Sequence, residues 1–294
     1  MRRLDVLLVL VLLVGVAVSA INDGLSPQQR RPEPTVAPSP APSASVPPPA
    51  ERRGTLPPPS SRDAGFEVES TRKSTDVSGT AFAIGSGIWM TAEHVTRSCG
   101  ALFVESGAQL LPVHRLVEHP SADVAVFQTD HAGPPLALTD RLDIGQAGFH
   151  HGFPSGRPGD VTSTLVGRAQ IRVRGAINRI EPAVAWAERQ RFPSRLEELG
   201  GISGGPALDA EGRVVGVTVG GSERRGTVLT AAPATMREVI AQAAVVLEPG
   251  ATGPRARPDP NSVTAYGDAL RRDLTVAKVI CLLRPPSRRP LSRR

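Results

Sequence analysis

The chain has 294 residues, of which 40% are hydrophobic and 3% aromatic, and its formal net charge is +6. Residues 251–294 contain ten Lys/Arg and three Asp, so the positive charge lies in the last part of the chain and the rest is nearly neutral. This distribution excludes a broadly basic, nucleic-acid-binding body, and we expect no nucleic-acid partner.

The first predicted element is an export signal. Arg2-Arg3 precede Val6–Ile21, an uncharged run that ends in the small residues Val18-Ser19-Ala20. A basic start, an apolar core and small residues at the end are typical of a secretory signal. As a helix this run would span about 24 Å, short of the ~30 Å hydrocarbon core of a membrane. We therefore predict a signal peptide within residues 1–25, with a membrane anchor formed by residues 4–21 as the alternative.

A proline-rich segment follows the export signal. Residues 26–60 hold twelve of the 29 prolines of the chain, with Ser, Ala and Arg between them. Such a composition cannot form a packed core, and we predict a semi-extended, disordered linker over residues 26–65.

Two short strands joined by a glycine turn are predicted next. The apolar run Gly79–Ile84 and the turn Gly85–Gly87 lead to a second strand that begins with Ile88-Trp89. The segment Met90-Thr91-Ala92-Glu93-His94-Val95 follows, and it places His94 just past the end of that strand. Further on, Asp123 stands at the start of another apolar run, Val124–Phe127. Taken alone, His94 is typical of a surface histidine and Asp123 of a residue that caps a turn.

Short apolar runs with turn signals between them predict an all-β domain, either a barrel or a sandwich. These runs are Leu102–Val104, Val124–Phe127, Ala147–Phe149, Val161–Leu165, Ile171–Val173, Val214–Val219 and Thr227–Thr230. His150-His151 is expected in a turn, and Pro182–Arg191 is a weak helix candidate. Pro233–Val246 is predicted as a helix, with Thr235 and Glu238 placed for a capping box.

A serine stands in the glycine-rich hexapeptide Gly201-Ile202-Ser203-Gly204-Gly205-Pro206. A serine hydroxyl becomes a nucleophile only when a base takes its proton and donors receive the developing charge. The small neighbours of Ser203 leave room for a substrate backbone. Clusters of Gly, Ser and Pro are also ordinary turn material, so this motif gains meaning only together with a histidine and a carboxylate.

The motifs around His94, Asp123 and Ser203, in this order, resemble those of the chymotrypsin-like (trypsin-like) serine proteases, most closely the bacterial Do/HtrA-type branch. The resemblance covers about residues 75–247. It implies a double six-stranded Greek-key β-barrel with a C-terminal helix, over a protease domain at residues 70–248. Together with the N-terminal signal or anchor, the resemblance predicts export to the bacterial periplasm or cell envelope, with the protein either secreted or anchored to the inner membrane by residues 4–21.

The resemblance also assigns roles to residues. It implies His94 as general base, Asp123 as the carboxylate that orients it, and Ser203 as nucleophile. The main-chain N–H groups of Gly201 and Ser203 would form the oxyanion hole. Val219, Gly220 and Gly221 would bind the substrate main chain, although a core strand that ends in a glycine pair explains the same residues.

Two positions depart from the family pattern. Many animal members carry an acidic residue before the nucleophile, which pairs with a new amino terminus after zymogen cleavage; here Ile202 stands in that place. We therefore expect a protease that does not need this activation. Val95 replaces a cysteine that forms a disulfide bond in those relatives.

The C-terminal extension, residues 249–294, is predicted to dock partly on the protease domain. Ser262–Arg272 is a helix candidate and Thr275–Leu283 a strand candidate, and both are too short for the PDZ modules of the Do/HtrA-type proteins. The basic end is expected to be a solvated tail, with binding to an anionic surface or nucleic acid as the alternative. The two cysteines of the chain, Cys99 and Cys281, allow one disulfide bond; the alternative is two buried free thiols.

The sequence thus predicts an exported serine-type endopeptidase that acts on protein or peptide substrates through an acyl-enzyme. The alternative is a catalytically silent protein of the same fold that binds peptides or regulatory partners. We expect no cofactor and no metal site, and membrane association only through the N-terminal segment. The sequence does not determine the oligomeric state.

Overall fold

The computed structural model describes residues 54–70, 77–222, 226–247 and 256–283. The predicted signal or anchor, most of the predicted linker and the basic tail lie outside the described residues. Within the described ranges, no helix is long and apolar enough to cross a membrane.

Sixteen strands and three α-helices make up the described fold. The strands are β1 Gly54–Thr55, β2 Ala64–Ser70, β3 Val77–Gly85, β4 Ile88–Thr91, β5 Cys99–Ser106, β6 Gln109–Pro112, β7 Arg115–Glu118, β8 Ala125–Gln128, β9 Asp143–Ile144, β10 Ala147–Gly152, β11 Gly159–Gly175, β12 Arg179–Phe192, β13 Pro206–Leu208, β14 Val214–Ser222, β15 Thr227–Ala231 and β16 Val276–Leu283. The helices are α1 Glu93–Thr96, α2 Pro233–Gln242 and α3 Val263–Arg272, and Pro154–Gly156 forms a 3₁₀ turn.

The strands form two barrel-like units. The first barrel is a seven-stranded sheet in the order β6-β5-β16-β3-β4-β8-β7. The second barrel is the ring β10-β13-β14-β15-β12-β11, which the pairing of β10 with β11 closes; β2 joins the outer edge of β11 in parallel. The structure confirms the all-β, double-barrel prediction. It differs in the first barrel, which has seven strands in an open sheet and not six in a ring.

One buried apolar cluster spans both barrels, and two smaller clusters lie in the second barrel. In the first barrel the rings of Trp89 and Phe127 are fully buried and stacked, with centroids 6.2 Å apart. Strand β11 of the second barrel buries alternate residues, among them Ala169, Ile171 and Val173, as a strand with one face on the core does. Burial of one large apolar side chain stabilises the fold by about 1.5–3 kcal/mol.

The last strand of the described chain is an internal strand of the first-barrel sheet. Strand β16 runs antiparallel to both β3 and β5, with Val276 opposite Phe82 and Val279 opposite Val104. The disulfide bond between Cys99 and Cys281, which the sequence predicted, joins β16 to β5. The predicted strand Thr275–Leu283 is therefore confirmed, and it is an internal barrel strand, since strands flank it on both sides.

Helix α3, predicted as Ser262–Arg272, packs on the second barrel through a buried ion cluster. The Asp160 carboxylate accepts hydrogen bonds from Arg271 at 2.8 and 3.0 Å, and lies 2.8 Å from His151 Nδ1. All three side chains are 7% exposed or less. The C-terminal segment thus contacts both barrels.

Four local predictions are wrong. Pro182–Arg191 is part of strand β12 because its register on β11 and β15 buries Ala183 and Ala185. His150-His151 lies in β10, fully buried, and not in a turn.

The other two errors concern a helix start and the end of the linker. No side chain caps α2, whose N-cap residue is Ala232, because Thr235 is buried and Glu238 lies 3.1 Å from His119. Residues 54–65, assigned to the disordered linker, pair with β9 through β1 and contact strand β11 of the second barrel, where Arg168 Nε donates to Pro57 O at 2.8 Å.

Candidate active site

Two elements of the first barrel bring a histidine and a carboxylate together. His94 lies on α1, directly after β4, and Asp123 lies in the loop before β8. Because Thr91 of β4 pairs with Ala125 of β8, the end of one strand meets the start of the other. The Asp123 carboxylate accepts hydrogen bonds from the backbone N–H of His94 at 2.7 Å and from its ring Nδ1 at 2.6 Å.

The charges of the two side chains favour this arrangement. Burial disfavours a charged imidazole, but the Asp123 carboxylate outweighs it and raises the pKa of His94 above its usual 6.5. Burial also disfavours an ionised Asp123, but His94 and Arg179 outweigh it and hold the pKa of that carboxyl below its ordinary value. Asp123 therefore accepts the Nδ1 proton, which leaves Nε2 free as a base. The His94 side chain is 38% exposed, so a substrate can reach it.

Ser203 lies beside Val95, the residue that follows His94. The Ser203 carbonyl accepts a hydrogen bond from the N–H of Thr80 at 2.8 Å. A Cβ built on Gly79 would stand 3.2 Å from that carbonyl and 2.5 Å from Val95. Ser203 is thus held against β3 next to α1. Its hydroxyl hydrogen-bonds no other described residue, His94 included.

The two predicted oxyanion donors have no acceptor among the described residues. Neither the N–H of Gly201 nor that of Ser203 donates to another residue in the described part of the chain. Gly201 has φ +98°, and a Cβ there would stand 2.6 Å from Phe153 O, so only glycine fits. Both N–H groups remain available to a ligand.

The predicted substrate-binding residues lie at a free sheet edge. Up to Val217, β14 pairs with β13; from Gly220 onward its only partner among the described strands is β15. The N–H of Gly204 donates to Thr218 O at 2.7 Å, which places the start of this free edge beside the nucleophile loop. Val219, Gly220 and Gly221 therefore offer main-chain groups to an extended peptide.

A cavity of about 690 Å³ opens beside His94 and this edge. One wall is apolar and formed by Val68, Ile171, Val173, Ile177, Val219 and Leu229. Another part of the wall is polar and contains Glu69, Arg97, Asp123, Arg179 and Glu181. The cavity thus offers an apolar surface to a substrate side chain next to the candidate base.

Arg179 joins carboxylates of both barrels at this wall. Its guanidinium lies 3.1 Å from Glu93, 3.6 Å from Glu181 and 3.8 Å from Asp123. Sequence reasoning missed these contacts because Arg179 and Glu93 are 86 residues apart and belong to no common motif.

Glu181 is a second buried carboxyl beside Asp123. Its Oε2 accepts the N–H of Asp123 at 2.5 Å, and its side chain is 4% exposed. Burial, together with the negative charge of Asp123, raises the pKa of Glu181 to about 7. Its charge therefore changes near neutral pH, next to the candidate catalytic pair.

A second histidine–serine contact has a structural explanation. His150 Nε2 lies 2.8 Å from Ser163 Oγ and its Nδ1 lies 3.1 Å from Thr218 Oγ1. All three residues are buried inside the second barrel, and burial lowers the pKa of His150 to about 3. A substrate cannot reach this pair. In the part of the chain that the structure describes, no cluster of His, Cys, Asp or Glu could hold a metal ion.

Comparison with known proteins identifies a family and several similar chains. The trypsin-like peptidase domain family matches residues 79–217. The serine proteases MT3772 and Rv3671c of two Mycobacterium tuberculosis strains, CDC 1551 / Oshkosh and ATCC 25618 / H37Rv, are each 30% identical over 185 residues. This match covers 60% of the chain and 43% of each relative, so the chain spans less than half the length of these relatives.

Two solved structures show a weaker similarity. The active form of the Rv3671c protease from M. tuberculosis has a TM-score of 0.49 and 20% identity, over 62% of this chain and 83% of that chain. The HtrA-type protease AlgW with a decapeptide has a TM-score of 0.45 and 20% identity, over 56% and 50%. The family match covers the segment that contains all three motifs, from within β3 to within β14. Residues 79–217 are therefore similar to the trypsin-like peptidase domain family, in the segment that carries the three motifs.

Proposed function

We propose that this protein is an exported serine endopeptidase that hydrolyses peptide bonds through an acyl-enzyme. The observation that carries the proposal is the doubly hydrogen-bonded His94–Asp123 pair, beside a loop that holds a serine and two free N–H donors. A histidine oriented in this way has one ring nitrogen on the carboxylate and the other open toward a nucleophile.

In the first step, Ser203 Oγ attacks the carbonyl carbon of the scissile peptide and His94 Nε2 takes the hydroxyl proton. The carbonyl π electrons move to the oxygen, which the N–H groups of Gly201 and Ser203 stabilise as an oxyanion. The tetrahedral intermediate then expels the amine, which takes the proton from the His94 imidazolium. The products are a free amine and an ester on Ser203.

In the second step, water attacks this ester and His94 again acts as base. The second tetrahedral intermediate expels Ser203 Oγ, which recovers its proton from His94 and releases the carboxylic acid. Asp123 stays ionised throughout and stabilises the imidazolium that forms in each half.

The substrate is proposed to bind as an added strand. Its main chain would pair with the free edge at Val219–Gly221, since that edge begins beside Gly204 and has no partner among the described strands. A side chain on the acyl side of the scissile bond would then contact the apolar wall of the cavity beside His94.

Export is the part of the proposal that rests on the N-terminal sequence. The basic pair Arg2-Arg3 and the uncharged run Val6–Ile21 support it. The Cys99–Cys281 disulfide adds an independent argument, because such bonds persist mainly in oxidising compartments outside the cytosol.

One observation favours the catalytically silent alternative. The Ser203 hydroxyl does not hydrogen-bond His94 in this structure. In many serine enzymes this contact tightens only when substrate binds, so a chemical probe decides between the two functions.

The full-length protein and its Ser203→Ala variant are treated with a fluorophosphonate probe, which reacts only with an activated serine. We expect labelling of the wild-type protein and none of the variant. A matched control is Ser163→Ala, which removes the hydroxyl beside His150 and should still be labelled. If folded wild-type protein is not labelled, or if Ser203→Ala is labelled equally, the proposed activity is wrong.

A further inference from the structure

Ile202 cannot form the ion pair that an acidic residue forms at this position in many animal members of the family. Other contacts must therefore hold the loop that carries Ser203. Ile202 is 2% exposed and belongs to the core of the second barrel, so its side chain anchors the loop there. An apolar side chain does not, however, set the rotation of the neighbouring peptide groups. The oxyanion donors require that rotation to be defined.

Four consecutive carbonyls of this loop accept hydrogen bonds. Gly200 O accepts from the N–H of Ser155 at 2.6 Å, and Ile202 O from the N–H of Gly205 at 2.9 Å. Between and after them, Gly201 O accepts from Thr80 Oγ1 at 2.7 Å, and Ser203 O from the N–H of Thr80 at 2.8 Å. One residue thus holds two of the four.

These bonds determine where the free donors point. In a trans peptide the N–H points away from the C=O of the same unit. The bond at Gly200 O therefore directs the N–H of Gly201, and the bond at Ile202 O directs that of Ser203. The Thr80 hydroxyl fixes the peptide unit that lies between the two donor units, so rotation of one donor relative to the other would break it.

The direction of the Thr80 hydroxyl proton is defined by its two partners. The N–H of Phe153 can only donate and does so to Thr80 Oγ1 at 3.0 Å. Gly201 O can only accept, so the hydroxyl proton lies on the Gly201 side. Thr80 is fully buried, so its hydroxyl makes these bonds away from solvent.

We propose that Thr80 is a positioning residue that holds the oxyanion loop in its donor-ready conformation, in place of the ion pair that Ile202 cannot form. The inference rests on the proposed peptidase function. Thr80 touches neither the substrate nor the reacting atoms, and it acts through Gly201 and Ser203.

The test compares Thr80→Val, which keeps the shape and removes the hydroxyl, with Thr80→Ser, which keeps the hydroxyl. We expect kcat on a peptide substrate and the fluorophosphonate labelling rate to fall about 10- to 100-fold in Thr80→Val, with KM nearly unchanged. Thr80→Ser should stay within about threefold of the wild type. Both variants retain the backbone N–H bond to Ser203.

A matched control separates positioning from stability. Thr129 is buried, and its hydroxyl also accepts an N–H, from Trp89 at 2.8 Å, and donates to a carbonyl, His131 O, at 2.6 Å. Thr129→Val should lower thermal stability but leave kcat unchanged well below its melting temperature. A Thr80→Val variant that melts earlier yet keeps the wild-type kcat and labelling rate would overturn the proposal.

Two further outcomes are informative. If Thr80→Val does not fold, Thr80→Ala removes the same hydroxyl with less steric risk. A folded Thr80→Ser variant that loses more than tenfold in kcat contradicts the inference by itself. If the wild-type protein is not labelled at all, the proposed function fails. If the wild type is labelled and Thr80→Val matches it, only the role of Thr80 fails.

Discussion

At the scale of single residues, the contacts around Asp123 are more elaborate than the motif that contains it. Asp123 receives two hydrogen bonds from His94, donates its own N–H to Glu181, and lies 3.8 Å from Arg179. A buried carboxylate is costly unless it is paired and hydrogen-bonded. The neighbouring cation and N–H donors therefore explain how Asp123 stays ionised beside a second carboxyl.

Glu181 should make the stability of the protein depend on pH. Its pKa is about 7 in the folded protein, above the usual 4.5, because burial and Asp123 disfavour the charged form. Between these values the unfolded chain loses the proton first, so the free energy of unfolding falls as pH rises. The free energy of unfolding is therefore highest below about pH 4.5, where Glu181 is protonated in both states. Above about pH 7 it is lower by up to about 3 kcal/mol.

Glu181→Gln removes this titration and keeps an oxygen that can accept the N–H of Asp123. We expect the free energy of unfolding in urea, measured at pH 5 and pH 8, to fall less with pH in the variant than in the wild type. Glu67→Gln changes an exposed carboxylate on β2 and should leave the pH dependence as it is. An identical pH dependence in wild type and Glu181→Gln would show that Glu181 does not titrate as described.

At the scale of elements, β16 lies between two strands that are connected to the candidate site. It lies between β3, which carries Thr80, and β5, which follows the helix of His94. Its main-chain bonds to both neighbours hold the first barrel together at this point. The Cys99–Cys281 bond then ties β16 to β5 across 182 residues of sequence.

Loss of this disulfide bond should destabilise the protein without preventing folding. A cross-link that closes so long a loop restricts the unfolded chain and contributes about 3–5 kcal/mol. We expect Cys99→Ala/Cys281→Ala to lower the free energy of unfolding by this amount in urea titrations, while β16 stays paired. The single variant Cys281→Ala reports separately on the effect of one free thiol. Equal unfolding midpoints for wild type and double variant would contradict a stabilising role.

At the scale of the whole molecule, the C-terminal segment connects the two barrels. Helix α3 contacts the second barrel through Arg271 and Asp160, and β16 completes the first. The candidate site lies where the barrels meet, with His94 and Asp123 from the first and Ser203 on the loop that enters the second. Arg179, from β12 of the second barrel, contacts Glu93 and Asp123 of the first and links the barrels at the same place.

Export can be tested on the protein isolated from fractionated bacterial cells. We expect it outside the cytosol, with both cysteines resistant to alkylation until a reductant is added. An amino terminus at Ile21 would indicate a cleaved signal, and an intact Met1 in the membrane fraction would indicate an anchor. Full-length protein in the cytosolic fraction with reactive thiols would contradict export.

Elements with a local signal could be predicted from the sequence. The motifs of His94 and Asp123 predict a pair that the structure shows in contact, and the apolar runs predict the short strands of both barrels. The C-terminal helix, the C-terminal strand and the single possible disulfide bond were also predictable. The signals for the motifs, the helix and the strands lie in neighbouring residues. The disulfide bond was predictable because the two cysteines of the chain allow one pairing.

The partners of the long-range contacts became known from the three-dimensional structure. Strand β16 lies between β3 and β5, Thr80 holds Gly201, and Glu181 accepts a hydrogen bond from Asp123, yet no local pattern indicates any of these contacts. Pro182–Arg191 became a strand because two neighbouring strands pair with it, which outweighs its own preference. A hydrogen bond between residues 58 or 121 positions apart depends on how the sheets pack, and sequence spacing does not encode that.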